Sequence, residues 1–313
     1  MQVNFFDDAV REDLFPLTFT RPTALLRCGI TNIAEKWKLH LNLTKYGFKT
    51  VPYLTNQFPA VQAPLFINGR LLPDPKLCKA ISSLTEGEYL TVGDAVLAYH
   101  TTQQQSKKYT ETYGIINRAH QLFSFCGEEI MKDFELITNK RKSETISESN
   151  TIIGKFPIFL EKGAKVEATV LNATNGPIYL DKNSEIMEGS MIRGPFTLGE
   201  GSTIKMGAKI YENTAIGPFC KIGGEVNNSV VFGYSNKGHD GFLGNSVLGE
   251  WCNLGADTNN SNLKNNYDEV KLWNYRQHSF EKTGLQFCGL IMGDHSKTGI
   301  NTMLNTGTVI GVS

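Results

Sequence analysis

The chain has 313 residues, with 31 Lys and Arg balanced by 31 Asp and Glu, so its formal net charge is zero. That balance gives no electrostatic case for nucleic acid or for an acidic membrane surface. The absence of any run of 18 apolar residues argues against a transmembrane helix, and residues 1–8 lack the basic start and apolar core of a signal peptide.

Taken in chain order, residues 3–7 read as a short buried strand, and residues 30–38 carry helical spacing (Ile30, Ile33, Ala34, Trp37). Residues 50–54 and 65–67 read as further strands. Strands interleaved with helical segments predict an α/β layer fold for the first half. Residues 139–150 are polar and mixed in charge and read as an exposed link, which puts the domains at 1–145 and 146–313. Cys28, Cys78, Cys126, Cys220, Cys252 and Cys288 are isolated, without framework spacing, and predict reduced, mostly buried thiols in a cytoplasmic protein.

From Leu180 an aliphatic residue recurs every six positions, through Ile186, Ile192, Leu198, Ile204, Ile210, Ile216 and Ile222. Neither a helix nor a lone strand has that period. It fits a parallel β-helix, in which each six-residue side turns one aliphatic inward and neighbouring coils stack to bury it. The ladder extends back through Val166 and Leu160 with a two-residue slip near Asn175, and is expected to resume at Phe242, Leu248 and Leu254, then at Met292, Thr298, Leu304 and Ile310. The interruptions, residues 223–241 and 259–288, are expected to be loops on one face, where solenoids carry their binding sites. Residues 270–276 are aromatic-rich and read as a hairpin, an excursion onto a neighbouring subunit, or a loop. The ladder is still running at Ile310, so either the coil continues beyond the last residue or a partner covers it.

The spacing resembles the hexapeptide repeat of left-handed parallel β-helices. The segment from Arg11 through Pro16-Leu17-Thr18 to Arg21-Pro22 resembles the start of sugar-phosphate nucleotidyltransferases, which implies a Rossmann-like domain. By that resemblance Arg11, Arg21 and Arg27 are nucleotide-binding cations, and an active domain would use Mg²⁺ with a nucleoside triphosphate, because charge builds on the phosphate oxygens as pyrophosphate leaves. The family's glycine-rich loop is replaced by Asp7-Asp8-Ala9-Val10, and Thr23 stands where a lysine is expected. The domain is therefore either a nucleotidyltransferase or a non-catalytic sugar-nucleotide fold, and the arginines either meet phosphate or pair with Asp7, Asp8 or Asp13. Asn68-Gly69-Arg70 and Asp94 read as turn chemistry, with a metal or ribose contact as the alternative.

In the second half, Lys237-Gly-His239, Asn253-Leu-Gly255-Ala256 and Asn266-Tyr267-Asp268 resemble, in order and interval, the acetyltransferase half of the bifunctional glucosamine-1-phosphate acetyltransferase/UDP-N-acetylglucosamine pyrophosphorylase family. The resemblance implies acetyl transfer from acetyl-CoA to the amino group of an amino-sugar phosphate. His239 would be the base, Lys237, Asn253, Asn266 and Tyr267 substrate contacts, and Ala256 a backbone contact to coenzyme A. A homotrimer with sites between adjacent helices is implied too. Phe242 and Asp257 depart from the family pattern, and no basic residues are evident upstream of the histidine. The rival is a sugar-nucleotide-binding or trimeric scaffold protein without turnover. A trimer-interface zinc site using His278 and His295 lacks the expected tight His-x₄-His pair.

Overall fold

In the computed structural model, which describes residues 1–313, β1 (Gln2–Phe6) is flanked by two parallel partners, β2 (Lys45–Lys49) and β3 (Leu65–Asn68). The strands β4 (Leu71–Leu72), β5 (Glu88–Val92), β6 (Ala95–His100), β7 (Gln105–Lys108) and β8 (Gly114–Ile115) follow, and the main sheet runs β2-β1-β3-β6-β5-β7. The first helix, α1 (Ile33–Leu41), starts later than its apolar spacing suggests because Asn32 caps it. The Asn32 side chain accepts from the Glu35 backbone and the Glu35 carboxylate accepts from the Asn32 backbone, a reciprocal box that fixes the first turn. A second helix, α2 (Pro75–Ser82), is capped by Asp74. The strand expected at 50–54 is a loop and a 3₁₀ turn, Pro52–Leu54; the strand lies earlier, at β2. Pro52 has no N–H for a sheet, and the last rung beside β1 is Asp7 N–H to Lys49 C=O.

These elements form one compact unit, comprising residues 1–14, 20–26 and 31–117; residues 15–19, 27–30 and 118–313 form the other. The second unit contains α3 (Gln121–Thr138) and a left-handed parallel β-helix whose three faces are sheets of eight, five and six parallel strands. The hexad divides among the faces in register: Leu180, Leu198 and Ile216 stack in one column, Ile186, Ile204 and Ile222 in the second, Ile192 and Ile210 in the third. All eight are at most 1% exposed. Each side chain of this size contributes roughly 1.5–3 kcal/mol when buried.

Two expectations about the breaks change. Residues 223–241 are not a loop but a shortened coil: Thr214 pairs eighteen positions from Phe196, whereas Ala215 pairs with Val230, fifteen on. The inward positions in this coil are Val226, Val231 and Lys237. The shorter corners also shift the next coil by one residue, so Leu243, not Phe242, points inward opposite Val226. A one-residue slip exchanges the two faces of a strand. The second break starts later than expected: Asn259 and Asn260 still pair in parallel with Met303 and Leu304. Only then does the chain leave the solenoid to carry an antiparallel hairpin, Lys271–Asn274 with Ser279–Lys282, before Leu248 pairs with Met292 across the gap. All six cysteines are buried and none forms a disulfide, and no helix is long and apolar enough to cross a membrane.

At one corner of the helix a backbone with positive φ recurs in successive coils, at Phe219, Tyr234, Trp251 and His295. Their rings lie stacked with centroids 5.4, 4.6 and 6.4 Å apart. Stacking offsets a conformation that bulky residues rarely adopt.

Removing the middle of a column should be felt by both neighbouring coils. Ile204→Ala is expected to lower unfolding free energy by about 2–5 kcal/mol in urea, with the midpoint falling and the slope unchanged.

Candidate functional site

In the first unit, β1 lies between β2 and β3, so the chain reverses direction across the sheet beside β1. Open α/β sheets bind ligands at such a switch, outside the carboxyl ends of the strands. Here that position holds a closed network of charges. Asp7 accepts from Thr23 N–H at 2.9 Å, Thr23 Oγ1 at 2.6 Å and Thr50 Oγ1 at 2.6 Å, with Arg11 Nε at 3.4 Å. Arg11 also donates to the Tyr53 hydroxyl at 2.8 Å and lies over its ring. Asp8 is held by Arg70 through Nε at 3.0 Å and Nη2 at 2.5 Å, and by Asn68 Nδ2 at 2.8 Å. Arg70, 2% exposed, spends its remaining donor on Ile116 C=O and Asn117 Oδ1. The intervening Gly69 is required by close approach, since a Cβ there would lie 2.5 Å from Thr23 Oγ1.

The internal pairing left open by the sequence is thus present for Arg11 with Asp7, and the Asn68-Gly69-Arg70 turn serves Asp8. Arg21 is also in this unit, 5% exposed; Arg27 belongs to the other unit, where it donates to Ile30 C=O. Asp94 sits exposed in the turn between β5 and β6. These carboxylates do not fit a bound Mg²⁺. Asp8 already has a guanidinium on both oxygens, Asp7 is filled by three hydroxyl and amide donors, and no group of three or more His, Cys, Asp or Glu is arranged to hold a metal.

In the β-helix, a cavity of about 400 Å³ is lined by Lys205, Lys221, Asn236, His239, Asn253 and Ala256, among others. Side chains alternate along a strand, so the residue beside each inward ladder position points outward. Lys221, Asn236, Asn253 and Lys297 are paired in register on successive coils and form such an outward column. His239 lies at the last corner of the shortened coil and is exposed at the cavity wall.

Lys237 does something the sequence does not reveal. It occupies the inward column directly after Ile222, is 2% exposed, and donates from Nζ to Gly223 C=O and His239 C=O, both at 3.0 Å. Its ammonium therefore ties the corner that carries His239 and does not face the cavity. Burial pushes its pKa down to about 8, against the opposing pull of Asp240 and Asp257. The cations on the cavity wall are instead Lys205 and Lys221. Lysines adjacent to ladder positions, one and two coils before His239, are the signal that would have found them.

Asn266 and Tyr267 are elsewhere, in an exposed turn of the excursion. Asn266 Nδ2 donates to Asp268 Oδ2 at 2.5 Å, and Tyr267 is 67% exposed at φ 59°. The fold of one chain thus brings together His239, Asn253 and Ala256, adds two lysines, and leaves the Asn-Tyr pair outside.

Two substitutions check these environments. Asp8→Ala leaves Arg70 buried without its carboxylate and is expected to cost about 3 kcal/mol in chemical denaturation. Lys237 has a folded pKa below its unfolded value, so the unfolded chain binds more protons between about pH 8 and pH 10.5. Wild type should therefore gain stability relative to Lys237→Met as pH rises through that window, by up to about 1.4 kcal/mol per pH unit. A flat difference between the two proteins contradicts the buried ammonium.

Comparison with known proteins agrees with the first unit's sheet. No curated protein matches the chain. Residues 3–142, just under half of it, match the sugar nucleotidyl transferase family model. The chain thus joins a nucleotidyltransferase-like N-terminal domain to a left-handed β-helix.

Proposed function

We propose that the cavity at His239 is an acyl-transfer site, in which the amino group of an amino-sugar phosphate takes an acetyl group from acetyl-CoA. The observation that carries this reading is the convergence of an exposed histidine, Asn253 and two lysines on one cavity of about 400 Å³. An amine attacks a thioester only when unprotonated, and imidazole is the side chain suited to take its proton near neutral pH. As the nitrogen bonds to the carbonyl carbon, His239 accepts the amine proton. The carbon–sulfur bond then breaks, and the proton passes to the departing thiolate. Lys205 and Lys221 suit the sugar phosphate as point charges, Asn253 the sugar hydroxyls, and the backbone at Ala256 the thioester arm. In this reading the protein is a homotrimer, in which the exposed Asn266-Tyr267 turn of one copy reaches a neighbour's cavity.

His239→Ala is expected to reduce thiol release from acetyl-CoA with glucosamine 1-phosphate by about 10²–10⁴. Lys221→Ala should instead raise KM for the phosphorylated acceptor. Equal rates for wild type and His239→Ala would sink the assignment of the base.

For the N-terminal unit the paired Asp7 and Asp8 favour a second reading, in which this domain binds a sugar nucleotide without transferring it. The other possibility is nucleotidyl transfer to a sugar 1-phosphate. Calorimetric binding of UDP-N-acetylglucosamine without pyrophosphate release from any nucleoside triphosphate would support the former, and pyrophosphate release would exclude it.

A further inference from the structure

A second cavity lies away from His239 and shares no residue with its wall. It is a groove of about 650 Å³ along another corner of the β-helix, bounded by Gly127 and Met131 of α3 and by Phe287 of the excursion. Its volume is in the usual range of about 300–1,000 Å³ for small-molecule sites. The floor is made of asparagines from successive coils: Asn213, Asn227, Asn228 and Asn245. The rungs between them are regular, with Asn228 N–H donating to Glu212 C=O and Asn245 N–H to Asn227 C=O.

The side-chain amides of Asn213, Asn227 and Asn228 make no hydrogen bond within the protein, and Asn228 Oδ1 is buried without a partner. Amides that line a groove without partners in the protein can each offer a ligand two donors and an acceptor. Backbone geometry favours asparagine at three of these four positions but does not require it. Positive φ at 213, 228 and 245 suits asparagine, but glycine or an aromatic fills the same conformation at 163, 201, 219 and 234. Asn227 lies in the strand Glu225–Asn227 and has no such constraint.

The chemistry of the wall selects the ligand class. An amide offers two donors and an acceptor and carries no charge. No lysine or arginine lines the groove, which disfavours phosphate. The single carboxylate, Glu212, is already paired with Arg193 Nε at 2.9 Å and with Asn175 Nδ2 at 3.1 Å, which disfavours a cation. Phe287, 44% exposed, and Met131 add apolar surface at the rim. Hydroxyl edges with an apolar C–H face are the features of a pyranose. We propose that this groove binds a neutral saccharide unit, held by the unpaired amides of Asn213, Asn227 and Asn228 and packed against Phe287. The assignment is independent of the acyl-transfer reading.

The test uses the full chain, with saturation-transfer NMR and calorimetry against glucose, galactose, mannose, N-acetylglucosamine and cellobiose, and with inorganic phosphate as the charged comparison. At least one saccharide is expected to bind. Asn228→Gly keeps the left-handed backbone while removing the amide, and it and Asn227→Ala should each weaken binding about five- to tenfold with the thermal midpoint retained. Phe287→Ala, on the rim, should also weaken it. Binding by none of the sugars, binding unchanged in Asn228→Gly and Asn227→Ala, or binding of phosphate in place of sugar overturns the proposal.

Discussion

Stacking of one coil on the next, inward residue over inward residue, is the constraint on which the second unit depends. A parallel strand pair fixes neighbours about 4.8 Å apart, so a column admits little variation: what one coil puts inside must fill the space above the last. Ile186, Ile204 and Ile222 satisfy this with one side-chain shape repeated. The next occupant of that column is Lys237, whose apolar stem continues the stack while its ammonium reaches two corner carbonyls. A charge inside the column is tolerable only because both carbonyls belong to the corner it crosses.

That substitution and the shortened coil belong together. Cutting the repeat from eighteen to fifteen residues tightens two corners. Tight corners leave carbonyls such as Gly223 C=O pointing inward, where only a long donor can reach them. The histidine at the outer wall is thus positioned by a lysine on the inner one. Chemistry on this solenoid is placed by outward columns, while inward columns hold the geometry.

The N-terminal unit solves a different problem. Two adjacent carboxylates at the carboxyl end of β1 would repel each other, and the sheet gives each its own set of donors. Because Arg70 comes from beyond β3 and Thr50 from beyond β2, the network joins three strands at the sheet's switch point. The place where related sheets receive phosphate is here braced by internal charge pairs.

The sequence by itself determined the β-helix, the α/β sheet before it and the buried cysteines outside any disulfide, because period, strand spacing and cysteine isolation are local properties. Hexads from 180 to 222 were legible since a regular column repeats at constant spacing. Once coil length changes, spacing no longer reports facing, which is why Phe242 and Leu243 exchange roles and Lys237 turns inward. Only tertiary structure decided that Asp8 meets Arg70, sixty-two positions away, that Lys205 and Lys221 share a wall with His239, and that asparagines 213, 227, 228 and 245, from three successive coils, face one groove. Contacts of that kind depend on which coil stacks on which, and no local pattern of residues records it.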